Sequence, residues 1–413
     1  MKGKTEIIAA LDLGTSKVTI LVAEVSEGGM TVLGVGTANC EDGLRRGMVI
    51  SIARLVEAIK SAKRDAEQMS GYMITDVVAG IGGVHVVGVN NRAMVSPKHG
   101  EIIEADVRQV LEMATALPLP VDRVVVNVVP REYSVDEHDG IKDPLGMSGV
   151  RLDADVHLVT AAKSAIDNIR KCAERAGLRI TQMVASPVAS ALAVLEDNER
   201  ELGVVVLDLG AGTGDLTVWA QGSLVHTGVI GAGGELITRD IATGLRTPSA
   251  CAEKLKVDHG SAWAQMVSPG DTLEVPGVGG RESRTLARHY LTEIIEPRVC
   301  EIFRMVQADI QKSGYEDFLA GGLVLTGGAA KMPGMAELGD EILNLSVRVG
   351  VPRGVKGLSS ILGDPALSTA YGLALFASLP YREDIPQPML PCRPPKKRGR
   401  FARGLRKLLG FMV

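Results

Sequence analysis

The chain has 413 residues, 46% of them hydrophobic, which is enough for substantial cores in two or more domains. Aromatic residues make up only 3%, so no platform for stacking bases is expected, and the composition argues against nucleic acid as a partner. The five cysteines lie far apart with no Cys-x-x-Cys pair, which argues against a zinc site or a disulfide framework and fits a reducing compartment.

The first predicted element is a strand, a glycine turn and a second strand. Apolar residues 7–10 lead into Asp12-Leu-Gly14-Thr15-Ser16-Lys17, and β-branched residues follow from Val18. Glycine allows close backbone approach, so we expect amide groups and hydroxyls of this turn to converge on phosphate oxygens. Asp12 would reach Mg²⁺ through its water shell, because Mg²⁺ loses water reluctantly. An ordinary hairpin explains the same pattern.

A helix is predicted over Ser51 to Met69. Residues 84 to 160 then form a segment with a separate pattern of predicted strands and helix. This segment contains strand-like residues, a short helical pattern around Val107 to Ala114, a proline break and two more strands. We interpret it as an inserted α+β subdomain, and a plain extension of the first sheet is the alternative.

A near copy of the first turn recurs about 200 residues later as Asp208-Leu-Gly210-Ala211-Gly212-Thr213, again between two apolar strands. Two copies in the same setting favour two halves of one nucleotide clamp over two unrelated hairpins. Asp208 is the second candidate for Mg²⁺. Just before this copy, Ser186-Pro187 opens a helix of small residues.

Further glycines accompany the helices of the second half. Gly233 and Gly234 open a helix at Glu235, and Pro297 is predicted in the first turn of a helix over Arg298 to Lys312. After a strand ending at Leu325 comes Thr326-Gly327-Gly328-Ala329, whose backbone can lie flat against a nucleoside. A tight structural turn is the alternative.

The C-terminal tail is a separate electrostatic segment. Residues 385–413 hold eight basic residues and no acid, so residues 1–384 carry −12, the total of −4 less those eight positive charges. A proline-rich stretch precedes a helical pattern with apolar and basic faces. The residues that we expect to bind anionic membrane lipids are Phe401, Arg403, Leu405, Arg406, Lys407, Leu408, Leu409 and Met412.

Two other roles for the tail are a basic nucleic-acid arm and a helix that docks on the protein itself. The clean apolar face counts against the first, and the cationic face counts against the second. No apolar run reaches the roughly 18 residues that span a bilayer, so the body is expected to be cytoplasmic.

The ordered set of turns at Asp12, Asp208 and Thr326 resembles the phosphate-1, phosphate-2 and adenosine motifs of the actin, chaperone and sugar-kinase superfamily. Within it, residues 143–151, 275–281 and 294–298 look like the FtsA family of bacterial cell-division proteins. The resemblance covers roughly 380 residues and implies an α/β fold of duplicated ribonuclease-H-like domains around a cleft that binds ATP with Mg²⁺. It also places Gly233, Gly234, Glu253, Lys256 and the Gly327 to Ala329 turn at the nucleotide; for Glu253 and Lys256 a solvated helix face is the alternative.

The same resemblance implies a division into subdomains. Subdomain 1A would comprise residues 1–83 and 161–200, with 358–381, and the inserted subdomain 1C residues 84–160. Subdomain 2A would comprise 201–239 and 306–357, and 2B residues 240–305, followed by a linker at 382–397 and the amphipathic helix at 398–413.

The resemblance implies a function in cell division, as a protein that polymerises at the cytoplasmic face of the inner membrane, at the septum. Its expected partners are further copies of itself, later division proteins and the C-terminal peptide of the tubulin-like GTPase FtsZ, for which Arg298 and Glu301 are candidate contacts. Relatives in the superfamily carry Glu-Pro where this chain has Ser186-Pro187, and a hydroxyl is a poor general base, so ATP hydrolysis is expected to be slow or absent. A pilus-assembly platform and a small-molecule kinase are the alternatives.

Overall fold

The computed structural model describes residues 5–26, 29–279, 281–354, 356–358 and 363–379. The predicted linker and amphipathic helix lie outside these residues. Within the described ranges, no helix is both long and apolar enough to cross a bilayer.

Strands and helices alternate through most of the chain. The strands are β1 (Glu6–Leu13), β2 (Lys17–Ser26), β3 (Gly29–Asn39), β4 (Leu44–Arg45), β5 (Met48–Val49), β6 (Asp76–Ile81), β7 (Val87–Val95), β8 (Arg123–Val135), β9 (His138–Ile141), β10 (Leu152–Ala162), β11 (Arg179–Ala185), β12 (Val204–Leu209), β13 (Gly214–Ala220), β14 (Ser223–Ile230), β15 (Thr272–Val275), β16 (Arg284–Ala287), β17 (Leu323–Thr326), β18 (Val347–Val349) and β19 (Lys356–Gly357). The α-helices are α1 (Ile52–Ser70), α2 (Glu104–Thr115), α3 (Lys163–Arg175), α4 (Ser186–Val194), α5 (Asp197–Leu202), α6 (Gly234–Gly244), α7 (Ser249–His259), α8 (His289–Ser313), α9 (Met335–Leu343) and α10 (Ser368–Ser378).

Two large sheets repeat one topology. The first has the order β11-β6-β1-β2-β3-β19 and the second the order β14-β13-β12-β17-β18. In each, the strand before the glycine turn pairs antiparallel with the strand after it and parallel with its other neighbour, β6 or β17. The predicted duplication of an α/β unit is therefore confirmed.

Each large sheet has its own apolar core, and two helices join the halves. Buried aliphatic residues of β1, β2 and α1 form one core, and those of β12, β17 and α8 form the other. Every residue of α4 is buried, and a Cβ on Gly372 of α10 would collide with the carbonyl oxygen of Ala189 on α4. Small residues thus let these two helices pack backbone against backbone between the sheets.

The predicted start of α8 is wrong. The helix begins at His289, nine residues earlier than expected, and carries Pro297 in its interior. Proline removes one main-chain donor and costs about 3 kcal/mol in a helix interior. Burial of Leu291 and Ile295 against the second core offsets that cost, so the helix continues through the proline.

An antiparallel sheet of order β7-β10-β8-β9 is inserted between β6 and α3. It shares no ladder with either large sheet among the described residues, and α2 covers it through a third apolar cluster that includes Val110, Leu111 and Leu152. The predicted inserted α+β subdomain is therefore confirmed, and the alternative of an extended first sheet is wrong.

Side-chain hydrogen bonds connect the inserted sheet to β14 of the second half. Asn90 Nδ2 donates to the carbonyl oxygen of Val225 at 3.0 Å, and His157 Nε2 lies 2.9 Å from Thr227 Oγ1. His157 Nδ1 lies 2.6 Å from Asn90 Oδ1. Since the oxygen of Asn90 can only accept, Nδ1 carries the proton and Nε2 accepts from the hydroxyl of Thr227. A neutral histidine therefore fits this buried position.

The pH dependence of stability tests this arrangement. Burial lowers the pKa of His157 from 6.5 to about 3, and the nearby charges of His226 and Arg131 add to the effect. The unfolded chain takes up a proton before the folded chain does, so this contribution to stability is complete above pH 6.5 and is lost as the pH falls towards 3.

We expect acidification from pH 6.5 to 5 to cost the wild type about 2 kcal/mol more than His157→Gln, at about 1.4 kcal/mol per pH unit. Urea unfolding at the two pH values measures the difference. His99→Gln, at an exposed position of the same subdomain, should behave like the wild type. Equal losses in the wild type and His157→Gln would contradict the neutral buried histidine.

Candidate functional site

The two predicted turns face each other across one cavity between the large sheets. The amide of Gly14 donates to the carbonyl of Lys17 at 3.0 Å, and the amide of Gly210 donates to that of Thr213 at 2.9 Å. The turns meet where a Cβ on Gly212 would lie 3.1 Å from Thr15 Cβ. The repeated sequence thus produces a repeated local structure, and the two turns form opposite sides of one site.

The cavity contains most of the predicted nucleotide-binding residues. Its lining residues are Asp12, Leu13, Gly14, Thr15, Ser16, Lys17, Gly47, Gly82, Ser186, Asp208, Gly210, Ala211, Gly212, Thr213, Asp215, Gly327, Gly328, Pro365, Ala366 and Thr369. Twelve of the seventeen predicted residues are present, and Gly233, Gly234, Glu253, Lys256 and Ala329 are not in the lining.

Four of those five residues, Gly233, Gly234, Glu253 and Lys256, lie directly behind the second turn. The amide of Gly234 donates to the carbonyl of Gly210 at 2.9 Å. Lys256 Nζ donates to the carbonyl of Gly234 at 3.1 Å and to Glu253 Oε2 at 2.6 Å. Glu253 also accepts from Thr238, so the pair joins α7 to α6. Ala329 follows Gly328 and lies close to Gly234.

Three carboxylates share the floor of the cavity: Asp215 is buried, and Asp12 and Asp208 are partly buried. Burial raises the pKa of Asp12 to about 7, with a further increase from the charge of Asp208. Burial, followed by the charges of Asp208 and Asp12, raises the pKa of Asp215 to about 8. Burial also raises the pKa of Asp208, against hydrogen bonds from Thr369 at 2.7 Å and from Ser190. Carboxylates in this arrangement favour a bound cation.

The polar groups of the cavity fit a hydrated cation. Among the described residues, no group of three or more His, Cys, Asp or Glu side chains is arranged to hold a metal ion directly. Asp215 Oδ1 is buried without a hydrogen-bond partner in the described part of the chain, and Lys17 is the one cationic side chain in the cavity lining. These features fit a hydrated Mg²⁺, which keeps several of its waters.

Asp215 is the main residue that the sequence analysis missed. It pairs with Asp208 across the β12–β13 ladder, as Thr19 pairs with Asp12 across β1–β2. Its carboxylate and the hydroxyl of Ser186 lie on the same side of Gly82, within 2.9 Å and 3.1 Å of where a Cβ would stand. An acidic residue in the otherwise uncharged strand β13 was the available signal.

Two other predicted sites lie away from this cavity or outside the described residues. Arg298 Nε lies 2.5 Å from Asp240 Oδ2 on α6, and the guanidinium also contacts Glu301. This arginine therefore connects α8 to α6, and its contact with a partner stays a prediction. The membrane-binding residues from Phe401 to Met412 are outside the described residues.

Two known protein families match parts of the chain. Residues 205–372 match the family described as Cell division protein FtsA, and residues 83–160 match the SHS2 domain inserted in FTSA.

Curated relatives extend this similarity along most of the chain. The Cell division protein FtsA of Pseudomonas aeruginosa is 42% identical over 372 residues, covering 90% of this chain and 89% of the relative. Its counterpart in Neisseria meningitidis serogroup B is 42% identical over 390 residues, covering 94% of each chain. The Escherichia coli K12 protein is 38% identical over 376 residues, covering 89% of each.

Solved structures of more distant proteins share the fold. The PilM–PilN type IV pilus biogenesis complex matches with a TM-score of 0.64 at 19% identity, covering 90% of this chain and 99% of that chain. MreB 5 of Spiroplasma citri bound to AMPPNP matches with a TM-score of 0.55 at 13% identity, covering 90% and 96%. These similarities confirm the actin-like fold. With relatives that are 38–42% identical along about nine-tenths of its length, the chain belongs to the FtsA family of cell-division proteins.

Proposed function

We propose that this protein binds ATP with Mg²⁺ in the cavity between its two halves and uses the nucleotide to control its assembly at the division site. The observation that carries the proposal is the pair of equivalent glycine turns around three desolvated carboxylates. Turn amides and hydroxyls supply donors to phosphate oxygens. Bound Mg²⁺ would neutralise phosphate charge next to Asp12 and Asp208.

The adenosine end would lie along the third turn. Gly327 and Gly328 line the cavity with Pro365 and Ala366. The next residue, Ala329, lies close to Gly234, to which Lys256 of α7 donates a hydrogen bond. A flat backbone surface next to polar side chains suits a nucleoside. The MreB relative in fold was solved with AMPPNP bound, which supports a nucleotide at the corresponding cleft.

Hydrolysis is expected to be slow. Ser186 stands in the cavity without the carboxylate that positions water in related proteins, and burial raises the pKa of its neighbour Asp215 to about 8. A carboxyl group that is protonated at neutral pH is a poor base. ATP therefore acts first as a ligand that sets the conformation of the two halves.

The tail would tether this body to the membrane. Its basic and apolar faces suit anionic lipid, at about 1 kcal/mol per cation near the surface plus apolar burial. The 38–42% identical relatives are cell-division proteins. We therefore infer a protein that self-assembles at the cytoplasmic face of the inner membrane, binds the FtsZ C-terminal peptide through the subdomain at 240–305, and recruits later division proteins.

Substitution of Gly327 tests the nucleotide site. Its φ is +88°, and a Cβ would overlap Asp208 Oδ1 and lie 2.6 Å from the carbonyl oxygen of Leu209. We expect Gly327→Ala to lower ATP affinity at least about tenfold, or about 1.4 kcal/mol, because the turn must shift away from Asp208. Calorimetric titration of the full chain measures this.

Gly314→Ala is the matched control. Gly314 also has a positive φ, +71°, but a Cβ there would meet nothing within 4 Å. This variant should lose stability from backbone strain and keep its ATP affinity. If Gly327→Ala bound ATP as tightly as the wild type, the third turn would not belong to the nucleotide site.

Cosedimentation with vesicles and FtsZ filaments tests the tether. The full chain should carry FtsZ filaments into the pellet with vesicles that contain anionic lipid, and much less with purely zwitterionic vesicles. A chain that lacks residues 396–413 should bind FtsZ without bringing it to vesicles. Equal recovery on vesicles with and without those residues would remove the membrane role of the tail, and failure of both proteins to bind FtsZ would contradict the proposed partner.

A further inference from the structure

The hairpin of β4 and β5 holds an arginine in an unusual backbone conformation. Arg45 pairs with Met48, which leaves Arg46 and Gly47 as a two-residue loop, with φ values of +48° and +81°. Positive φ at both central residues is the type I′ pattern, in which Asn-Gly is preferred. An arginine at the first position is strained, and such strain persists where the surrounding structure fixes it, often at functional sites.

The loop is fixed to the wall of the nucleotide cavity. A Cβ on Gly47 would lie 2.5 Å from Gly83 Cα, and one on Gly83 would lie 2.5 Å from the carbonyl oxygen of Arg46. The two segments therefore meet backbone against backbone. Gly47 and Gly82 both line the cavity, on the side of Asp215.

The side chain of Arg46 crosses from the first half of the protein to the second. Its Nη1 and Cζ atoms lie 3.7 Å and 3.9 Å from where a Cβ on Gly231 would stand. Gly231 follows β14 directly, and the next residues are hydrogen-bonded to the second turn through the amides of Gly234 and Glu235. The guanidinium of Arg46 thus lies next to the segment that supports the second turn.

Arg46 is not itself a lining residue, but it precedes the lining residue Gly47 beside a cavity rich in carboxylates. Three carboxylates face one lysine, Lys17, in the cavity lining. Arg46 is exposed, and among the described residues its guanidinium has no ion-pair or hydrogen-bond partner within the distances that define such contacts. A guanidinium binds phosphate through two parallel hydrogen bonds. A triphosphate would bring additional negative charge into this cavity.

We propose that Arg46 is a phosphate-binding residue that recognises the terminal phosphate of a nucleoside triphosphate, so that the cleft distinguishes a triphosphate from a diphosphate. The inference rests on the nucleotide binding proposed above. Arg46 belongs to the first half and lies next to Gly231 of the second, so a terminal phosphate bound to it would also connect the halves.

The test compares ATP and ADP affinity in the full chain with Mg²⁺ present. Arg46→Asn removes the cation and supplies a residue that type I′ turns prefer, so the hairpin should stay folded, which the thermal unfolding midpoint checks. We expect ATP affinity to fall about tenfold or more while ADP affinity stays within about twofold. Arg46→Lys should recover part of the ATP affinity, and Arg45→Gln, the adjacent exposed arginine, should match the wild type.

Two results would overturn the inference, and they differ from failure of the proposed function. If Arg46→Asn left both affinities unchanged, or lowered them equally, Arg46 would not recognise the terminal phosphate, although nucleotide binding by the wild type would stand. If the wild type bound neither ATP nor ADP, both the proposed function and this inference would fall.

Discussion

Desolvation of three carboxylates between the two halves is the constraint on which the site depends. Asp12 and Asp208 occupy the next-to-last position of the equivalent strands β1 and β12, so the duplication itself places both of them at the cavity. Desolvation, followed by repulsion from the neighbouring carboxylates, raises the pKa of Asp12 to about 7 and that of Asp215 to about 8. A bound cation would relieve that cost, and occupancy of the cleft would then be linked to the relative position of the halves.

The elements that connect the two halves determine which other parts of the protein would move with them. Helices α4 and α10 pack closely under the cleft, and Thr369 of α10 donates a hydrogen bond to Asp208 in the second half. The inserted sheet is bound to β14 through His157 and Asn90, and β14 leads directly to the segment behind the second turn. A nucleotide-dependent movement would therefore also act on the inserted subdomain. Any partner bound there would sense the state of the cleft.

The repeat was predictable because its chemistry is local. A glycine turn between apolar strands is specified by a few adjacent residues. Its recurrence in the sequence therefore indicates a fold built from two equivalent halves. Asp215 was not predicted because its role comes from register, since only the paired ladder puts it opposite Asp208. The start of α8 was missed because burial of Leu291 and Ile295 outweighs the local effect of Pro297. Pairing of Arg298 with Asp240 likewise depends on how two distant helices pack.

Calorimetric titration with ATP, with and without Mg²⁺, on the wild type and on Asp208→Asn measures whether the carboxylates of the cleft couple nucleotide binding to Mg²⁺. We expect one ATP site per chain in the wild type, with an affinity that rises at least about tenfold when Mg²⁺ is present. In Asp208→Asn that dependence on Mg²⁺ should be largely lost. Absence of ATP binding in the wild type, or the same dependence on Mg²⁺ in both proteins, would contradict the account.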